Sequence, residues 1–224
     1  MASFADLVTK ELSDDLVWRE QELAFMRKQL IVAPVGSIQE KTLLRANLAM
    51  IYAHYEGFCK FALELYIDAL ERLKLKRKEL VWPLAAFSMG KLHKVLCAET
   101  ERVAFFSAFI NEFEKQLEEV AEYDRLPQIA NLWPDLLHDW LSRLDLSSEY
   151  VTNGHATLEA LVYNRNQIAH GKKLMVASRA ELDKFSEAAT LAMHEVAVGI
   201  SEALEKRTYR RHSFVNTILG HAVR

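Results

Sequence analysis

Residues 44–73, LRANLAMIYAHYEGFCKFALELYIDALERL, contain a regular hydrophobic pattern. Nine apolar residues recur there at spacings of three and four: Leu44, Leu48, Ile51, Tyr55, Phe58, Ala62, Leu65, Ala69 and Leu73. An α-helix completes one turn in about 3.6 residues, so residues at these spacings lie on one face of a helix. The stretch therefore predicts a long helix with a buried face.

Helix signals continue on both sides of this stretch. The long helix is predicted to begin near Ser37, because Ser37 and Glu40 have the spacing of a capping box, and to end at about Leu75. The cluster Ala-Pro-Val-Gly at 33–36 ends a first helix, which is predicted over about 4–30. Further helices are predicted at about 84–97, 100–123, 135–144, 154–170 and 178–206, with a loop at 145–153.

The composition also favours helices. The 224 residues include only 7 Gly and 4 Pro, which is few for the many turns of a β-sandwich or barrel. Half of the residues are hydrophobic and 26% are charged, as in ordinary soluble globular proteins. We predict a single helical domain over residues 1–208, followed by a tail or appended turn at 209–224.

Charge, cysteines and hydrophobic runs limit the function classes. The formal net charge of -3 gives no overall attraction to nucleic acid, so RNA binding requires a local basic patch. Cys59 and Cys97 lack the close pairing of a zinc or redox motif, and we expect both to be reduced core residues. The chain has no signal-peptide pattern and no apolar run that could cross a bilayer, which predicts a cytoplasmic protein without membrane contact.

The segment RNQIAHG at 165–171 has the features of a reactive site. Arg165 continues an apolar helix face, seven residues after Leu158, where a soluble helix normally places another Leu or Val. A guanidinium cannot lose its proton, so a buried Arg165 needs a carboxylate, a phosphate or acceptors from a partner subunit.

The spacing of Arg165 and His170 limits how the two side chains can meet. Five residues of a straight helix turn by about 500°, which leaves these side chains about 140° apart. Gly171 suits the left-handed position just beyond a helix, so His170 is expected in the last turn, where the helix dipole favours a cation. The spacing therefore predicts a site at a helix end, completed by a second subunit.

Two blocks of the sequence resemble a known family. The HEPN superfamily has a signature that consists of an Arg, a polar residue, three to five further residues and a His. The segment with Arg165, the polar Asn166 and His170 resembles this signature. Residues 44–58, which contain Glu-Gly-Phe, resemble a helix of the MAE_28990/MAE_18760-like HEPN nuclease group. In that group, as here, an Arg-Asn-x-Ile-Ala-His-Gly block comes about a hundred residues later. Order and spacing agree over most of residues 4–206.

The resemblance implies an all-α, HEPN-like up-and-down bundle with additional helices, which dimerises and brings two Arg-His motifs into one cleft. It implies a metal-independent endoribonuclease that uses no cofactor and serves defence or stress response. An antitoxin or defence-system protein is then a candidate partner besides RNA. In one branch of the superfamily an aromatic residue stands two positions after the His. Lys172 stands there in this chain, which weakens the interpretation as a nucleotidyltransferase-dependent toxin.

Roles for the motif residues follow from this interpretation. His170 is the candidate general acid or base, since histidine changes charge near neutral pH. Arg165 is expected to hold phosphate oxygens with its planar guanidinium, and Asn166 to position reacting groups. Because each chain supplies one His170, a dimer supplies both an acid and a base.

Three more residues complete the candidate site. Glu56 is the predicted partner that orients Arg165, on the expectation that the long helix packs beside the motif helix. Lys172 and Lys173 flank the motif and are the RNA-binding candidates. We expect the basic cluster at 72–78 to be a solvated face.

Two alternative functions, neither of them enzymatic, stay open. The first alternative to the ribonuclease is a non-catalytic HEPN module that binds RNA, nucleotide or a protein through the same cleft. A second is a structural bundle in which Arg165 bridges an internal acid. Asp135, His138 and Asp139 share one helix face, but such residues on an exposed helix are usually plain surface, and we predict no metal.

Overall fold

The computed structural model describes residues 3–98, 101–126, 131–173, 176 and 178–211. These residues form nine α-helices and one 3-10 helix and contain no β-strand, which confirms the predicted all-α fold. The helices are α1 Phe4–Val32, α2 Ile38–Arg72, the 3-10 helix Arg77–Glu79, α3 Trp82–Phe87, α4 Gly90–Ala98, α5 Arg102–Glu118, α6 Pro134–Arg143, α7 Glu149–Asn153, α8 His155–Ala169 and α9 Arg179–Lys206.

Helix α2 is the centre of the bundle, because α1, α8 and α9 all pack against it. Seven of the nine residues of the predicted apolar face are buried, and Leu65 and Leu73 are half-buried. The core also includes residues outside that face: Tyr52, Cys59, Leu63, Tyr66 and Ile67. Cys97, by contrast, is exposed, so the expectation of a core residue is wrong for it. A helix that is surrounded by neighbours buries more than one stripe of side chains. The long helix therefore forms as predicted, with a wider buried surface than a single stripe.

The start of α2 is fixed by the predicted cap and by a contact to α9. Ser37 Oγ accepts a hydrogen bond from the Glu40 amide at 3.0 Å. The Glu40 carboxylate accepts from the Gly36 amide at 2.6 Å and from Arg179 Nε of α9 at 2.7 Å. Gly36 itself has a φ of +75°, which only glycine adopts without strain. One carboxylate thus joins the α1–α2 turn to the beginning of α9.

The region predicted as a loop at 145–153 contains the short helix α7, so that part of the prediction is wrong. Glu195 of α9 lies beneath it and accepts hydrogen bonds from the Tyr150 and Val151 amides, both at 3.1 Å. Backbone amides at the start of a helix have no partner within that helix. The Glu195 carboxylate of α9 supplies that partner here. A local sequence pattern does not reveal a partner so distant in the chain.

The predicted helix at 84–97 is divided into α3 and α4 by a buried arginine. Arg77 Nε donates to Ser88 Oγ at 3.0 Å, and its Nη1 donates to the Gln116 carbonyl at 3.1 Å. The basic cluster at 72–78 is therefore partly structural. Lys76 and Lys78 in the same cluster both ion-pair with Glu118 of α5.

The end of the described chain packs on the helical domain. Tyr209 is buried, and its carbonyl accepts a hydrogen bond from the Val81 amide at 3.0 Å. Residues 212–224 of the predicted tail lie outside the described residues, and the boundary after residue 208 remains a prediction. Among the described helices, none is both long and apolar enough to cross a membrane.

Two buried tyrosines on α2 differ in how their hydroxyl groups are satisfied. The Tyr52 hydroxyl accepts a hydrogen bond from the Leu132 amide at 3.0 Å, which ties the segment before α6 to the central helix. The Tyr55 hydroxyl is buried, and the described residues offer it no hydrogen-bond partner. Burial raises the pKa of Tyr55 well above its ordinary value, so this hydroxyl stays protonated.

These tyrosines give a matched pair of substitutions. Tyr52→Phe leaves the buried Leu132 amide without its acceptor, and we expect a loss of about 1–3 kcal/mol in the free energy of unfolding. Tyr55→Phe removes a hydroxyl that makes no hydrogen bond, so the free energy of unfolding should stay the same or rise. Urea unfolding of both variants measures the difference, and equal losses would contradict the described hydrogen bonding.

Candidate active site at the carboxyl end of α8

Helix α8 ends within the motif, as predicted. The last helical residue is Ala169, and His170 occupies the C-cap, where its amide donates to the Asn166 carbonyl at 3.0 Å. Gly171 follows with a φ of +71°, the left-handed conformation that favours glycine. The His170 side chain is exposed. The chain therefore turns away immediately after the histidine and leaves its imidazole open to solvent.

Arg165 is half-buried, and the described residues that hold it are neutral. Its Nη1 donates to Asn131 Oδ1 at 3.1 Å and to Asn166 Oδ1 at 3.0 Å. Its Cζ lies 4.5 Å from the centre of the Tyr52 ring, in the geometry of a cation–π contact. Within the described part of the chain, no carboxylate forms an ion pair with Arg165. The positive charge is thus fixed in place without being neutralised.

Most other buried or half-buried arginines in the described residues have charged partners. Of the five others that are buried or half-buried among the described residues, four form an ion pair with a carboxylate, namely Arg19, Arg27, Arg77 and Arg179. The fifth, Arg45, donates to the Lys172 carbonyl. Ion pairing is the usual way to place a guanidinium away from water. The neutral surroundings of Arg165 are therefore a local property of the motif.

Glu56 does not pair directly with Arg165, which corrects the prediction made for it. Helix α2 packs beside α8 as expected. However, the Glu56 carboxylate forms an ion pair with Lys60, one turn further along α2. Burial and the neighbouring Glu56 carboxylate raise the pKa of Tyr52, so its hydroxyl remains protonated. The side chain in contact with Arg165 is therefore Tyr52 and not Glu56.

Sequence reasoning does not assign Arg45, Tyr52 or Asn131 to the site. Arg45 Nη1 donates to the Lys172 carbonyl at 3.0 Å and so ties the end of the motif to α2. Arg45 and Tyr52 lie seven residues apart, hence on one face of α2, and this spacing was a usable signal. Asn131 lies in an irregular stretch outside the described helices, where no hydrophobic periodicity indicates which side chains face the site.

The Glu-Gly-Phe block contacts α1 on another side of α2. Phe58 is buried in the core, and a Cβ atom at Gly57 would lie 3.0 Å from Arg19 Nη1. Gly57 thus lies where α1 packs closely against α2. His54, in the same block, lies with its Nε2 atom 2.9 Å from the Glu22 carboxylate of α1.

The remaining candidate residues lie at the surface. Lys172 and Lys173 are exposed directly after the motif. Asp135 pairs with His155 at 2.7 Å, and Asp139 pairs with Arg143 at 2.7 Å, so these acids have local partners. Over the residues that the structure describes, no group of three His, Cys, Asp or Glu side chains could hold a metal ion.

Comparison with known proteins identifies one family. No curated protein and no solved structure shows significant similarity to the chain. The sequence model of the MAE_28990-like HEPN family matches residues 8–209, which include both α2 and the 165–171 motif. This match extends over most of the 224 residues. The chain belongs to the MAE_28990-like HEPN family.

Proposed function

We propose that the protein is a metal-independent endoribonuclease, which cleaves RNA by attack of a 2′-hydroxyl at a site shared by two subunits. The observation that supports this most directly is the charge of Arg165, which is fixed by neutral acceptors and by the Tyr52 ring. An arginine held in this way keeps its attraction for a phosphate, because no internal carboxylate competes for it.

The residues of the motif suit each step of the reaction. One His170, in its neutral form, accepts the proton of the ribose 2′-hydroxyl while the 2′-oxygen attacks the adjacent phosphorus. A second, protonated imidazole donates a proton to the 5′-oxygen as the P–O5′ bond breaks. Arg165 stabilises the negative charge on the phosphorane oxygens, and Asn166 helps to orient the guanidinium. The products are a 2′,3′-cyclic phosphate and a free 5′-hydroxyl.

The second imidazole is proposed to be His170 of a partner subunit. Each chain has one motif, and His170 is exposed at the end of α8 whereas Arg165 is half-buried against α2. A two-fold dimer that joins these helix ends would place two histidines and two arginines around one phosphate. Lys172 and Lys173 would then extend the positive surface along the RNA backbone.

A role in defence or stress response, and an antitoxin or other defence protein as partner, are part of the proposal and rest on the family alone. The same holds for a cytoplasmic location. If the motif binds RNA without cleaving it, the protein is instead a non-catalytic HEPN module, and the following assay separates the two.

Cleavage of single-stranded RNA of mixed sequence in excess EDTA tests the chemistry. Arg165→Ala and His170→Ala should each lower the rate by at least about 100-fold, because each removes a group that acts on the transition state. Arg143→Ala and His155→Ala are the controls, since both residues are ion-paired away from the motif and should leave the rate unchanged. Full activity in both motif variants, or products with 5′-phosphate ends, would refute the proposal.

Subunit mixing tests whether the site is shared. Wild type is allowed to exchange subunits with an equal amount of His170→Ala protein, and cleavage is measured at constant wild-type concentration. Random exchange leaves about half of the activity if two His170 residues act together, since mixed dimers are then inactive. Activity that does not change after exchange would show that each subunit acts alone. Sedimentation velocity of the two proteins checks that both are dimers.

A further inference from the structure

The outward face of α8 carries a line of exposed side chains that ends at the catalytic candidate. Ala156, Glu159, Tyr163 and His170 are exposed, and Asn166 is half-exposed. Their spacings of three and four place them on one face of the helix. Tyr163, with 55% of its surface exposed, is the large apolar side chain in this line. The ring therefore lies on the same side of the helix as the His170 imidazole.

The distance along the helix suits an RNA strand. Seven residues separate Tyr163 from His170, and a rise of about 1.5 Å per residue places their Cα atoms about 10 Å apart along the helix axis. A nucleotide next to the cleaved phosphate can extend its base over this distance. The exposed Lys172 and Lys173 after His170 provide positive charge for the backbone of such a strand.

An exposed tyrosine beside a phosphate site has a specific use. Unpaired bases stack on aromatic rings, whereas bases inside a duplex have no free face for such a contact. We propose that Tyr163 is a base-stacking residue, which binds an unpaired base next to the phosphate on which His170 acts. This inference rests on the proposed ribonuclease function and adds a specificity-determining residue to it.

Binding of an uncleavable RNA tests the inference separately from catalysis. The probe is a short single-stranded 2′-O-methyl RNA, and fluorescence anisotropy measures its affinity. Tyr163→Ala should bind roughly 5- to 100-fold more weakly than wild type, and Tyr163→Phe within about twofold, because the ring rather than the hydroxyl makes the contact. Tyr150→Ala is the matched control, since Tyr150 is 50% exposed on α7 and should not affect binding.

A scan with abasic nucleotides locates the base. In wild type, removal of one particular base should weaken binding, and in Tyr163→Ala removal of that same base should have no further effect. An equal loss in both proteins would overturn the inference, as would wild-type affinity in Tyr163→Ala or no binding by wild type. Dissociation of the dimer in Tyr163→Ala but not in Tyr150→Ala would also overturn it, because Tyr163 would then be an interface residue.

The outcomes separate this inference from the proposed function. If the wild type cleaves natural RNA but Tyr163→Ala binds the 2′-O-methyl RNA as tightly as the wild type does, only the stacking role is contradicted. A wild type that shows the abasic dependence but leaves natural RNA intact contradicts only the ribonuclease function.

Discussion

The contact between the Arg165 guanidinium and the Tyr52 ring is the interaction on which the organisation of the site depends. Moving a guanidinium away from water is costly unless acceptors replace part of its hydration. Two asparagine oxygens and an aromatic face do so here, without cancelling the charge. A carboxylate in the same position would stabilise the empty site and compete with a phosphate. The ring of Tyr52 therefore allows Arg165 to be both ordered and available.

Helix α2 sets this arrangement because it contacts the motif at two points. Arg45 binds the Lys172 carbonyl and Tyr52 lies against Arg165. Arg45 and Tyr52 are seven residues apart on α2, and their partners Lys172 and Arg165 are also seven residues apart. The partners follow in the reverse order along the chain, so α2 and α8 run antiparallel. The Tyr52 hydroxyl also holds the Leu132 amide, next to Asn131, so a single side chain fixes both the guanidinium and the segment that provides its acceptor.

Local sequence signals predict the helix ends that are determined by interactions between neighbouring residues. The cap at Ser37, the end of α8 before Gly171 and the extent of α9 depend on neighbouring residues, and all three are found as predicted. Helix α7 is missed because its amides bind Glu195, more than forty residues further along the chain. A pattern within one segment contains no information about such a partner.

The surroundings of Arg165 show the same limit within the site. Glu56 is the natural candidate for an ion pair, since a half-buried guanidinium usually has a carboxylate partner. Lys60 lies one turn away on the same helix and takes that carboxylate instead, while Tyr52 occupies the contact with Arg165. Sequence spacing identifies which residues share a helix face, but the choice among several polar partners is made by packing between helices.

The orientation of the motif supports the proposal that two subunits share the site. Arg165 lies on the inward side of α8, where α2 and Asn131 hold it, and His170 is exposed where the helix ends. An arginine must be held by its surroundings to present a fixed charge, whereas a proton-transfer group must reach the reacting oxygen. Packing within one subunit meets the first requirement. The second leaves the imidazole outside the bundle, and in the proposed dimer the histidine of a second subunit would face it across the same phosphate.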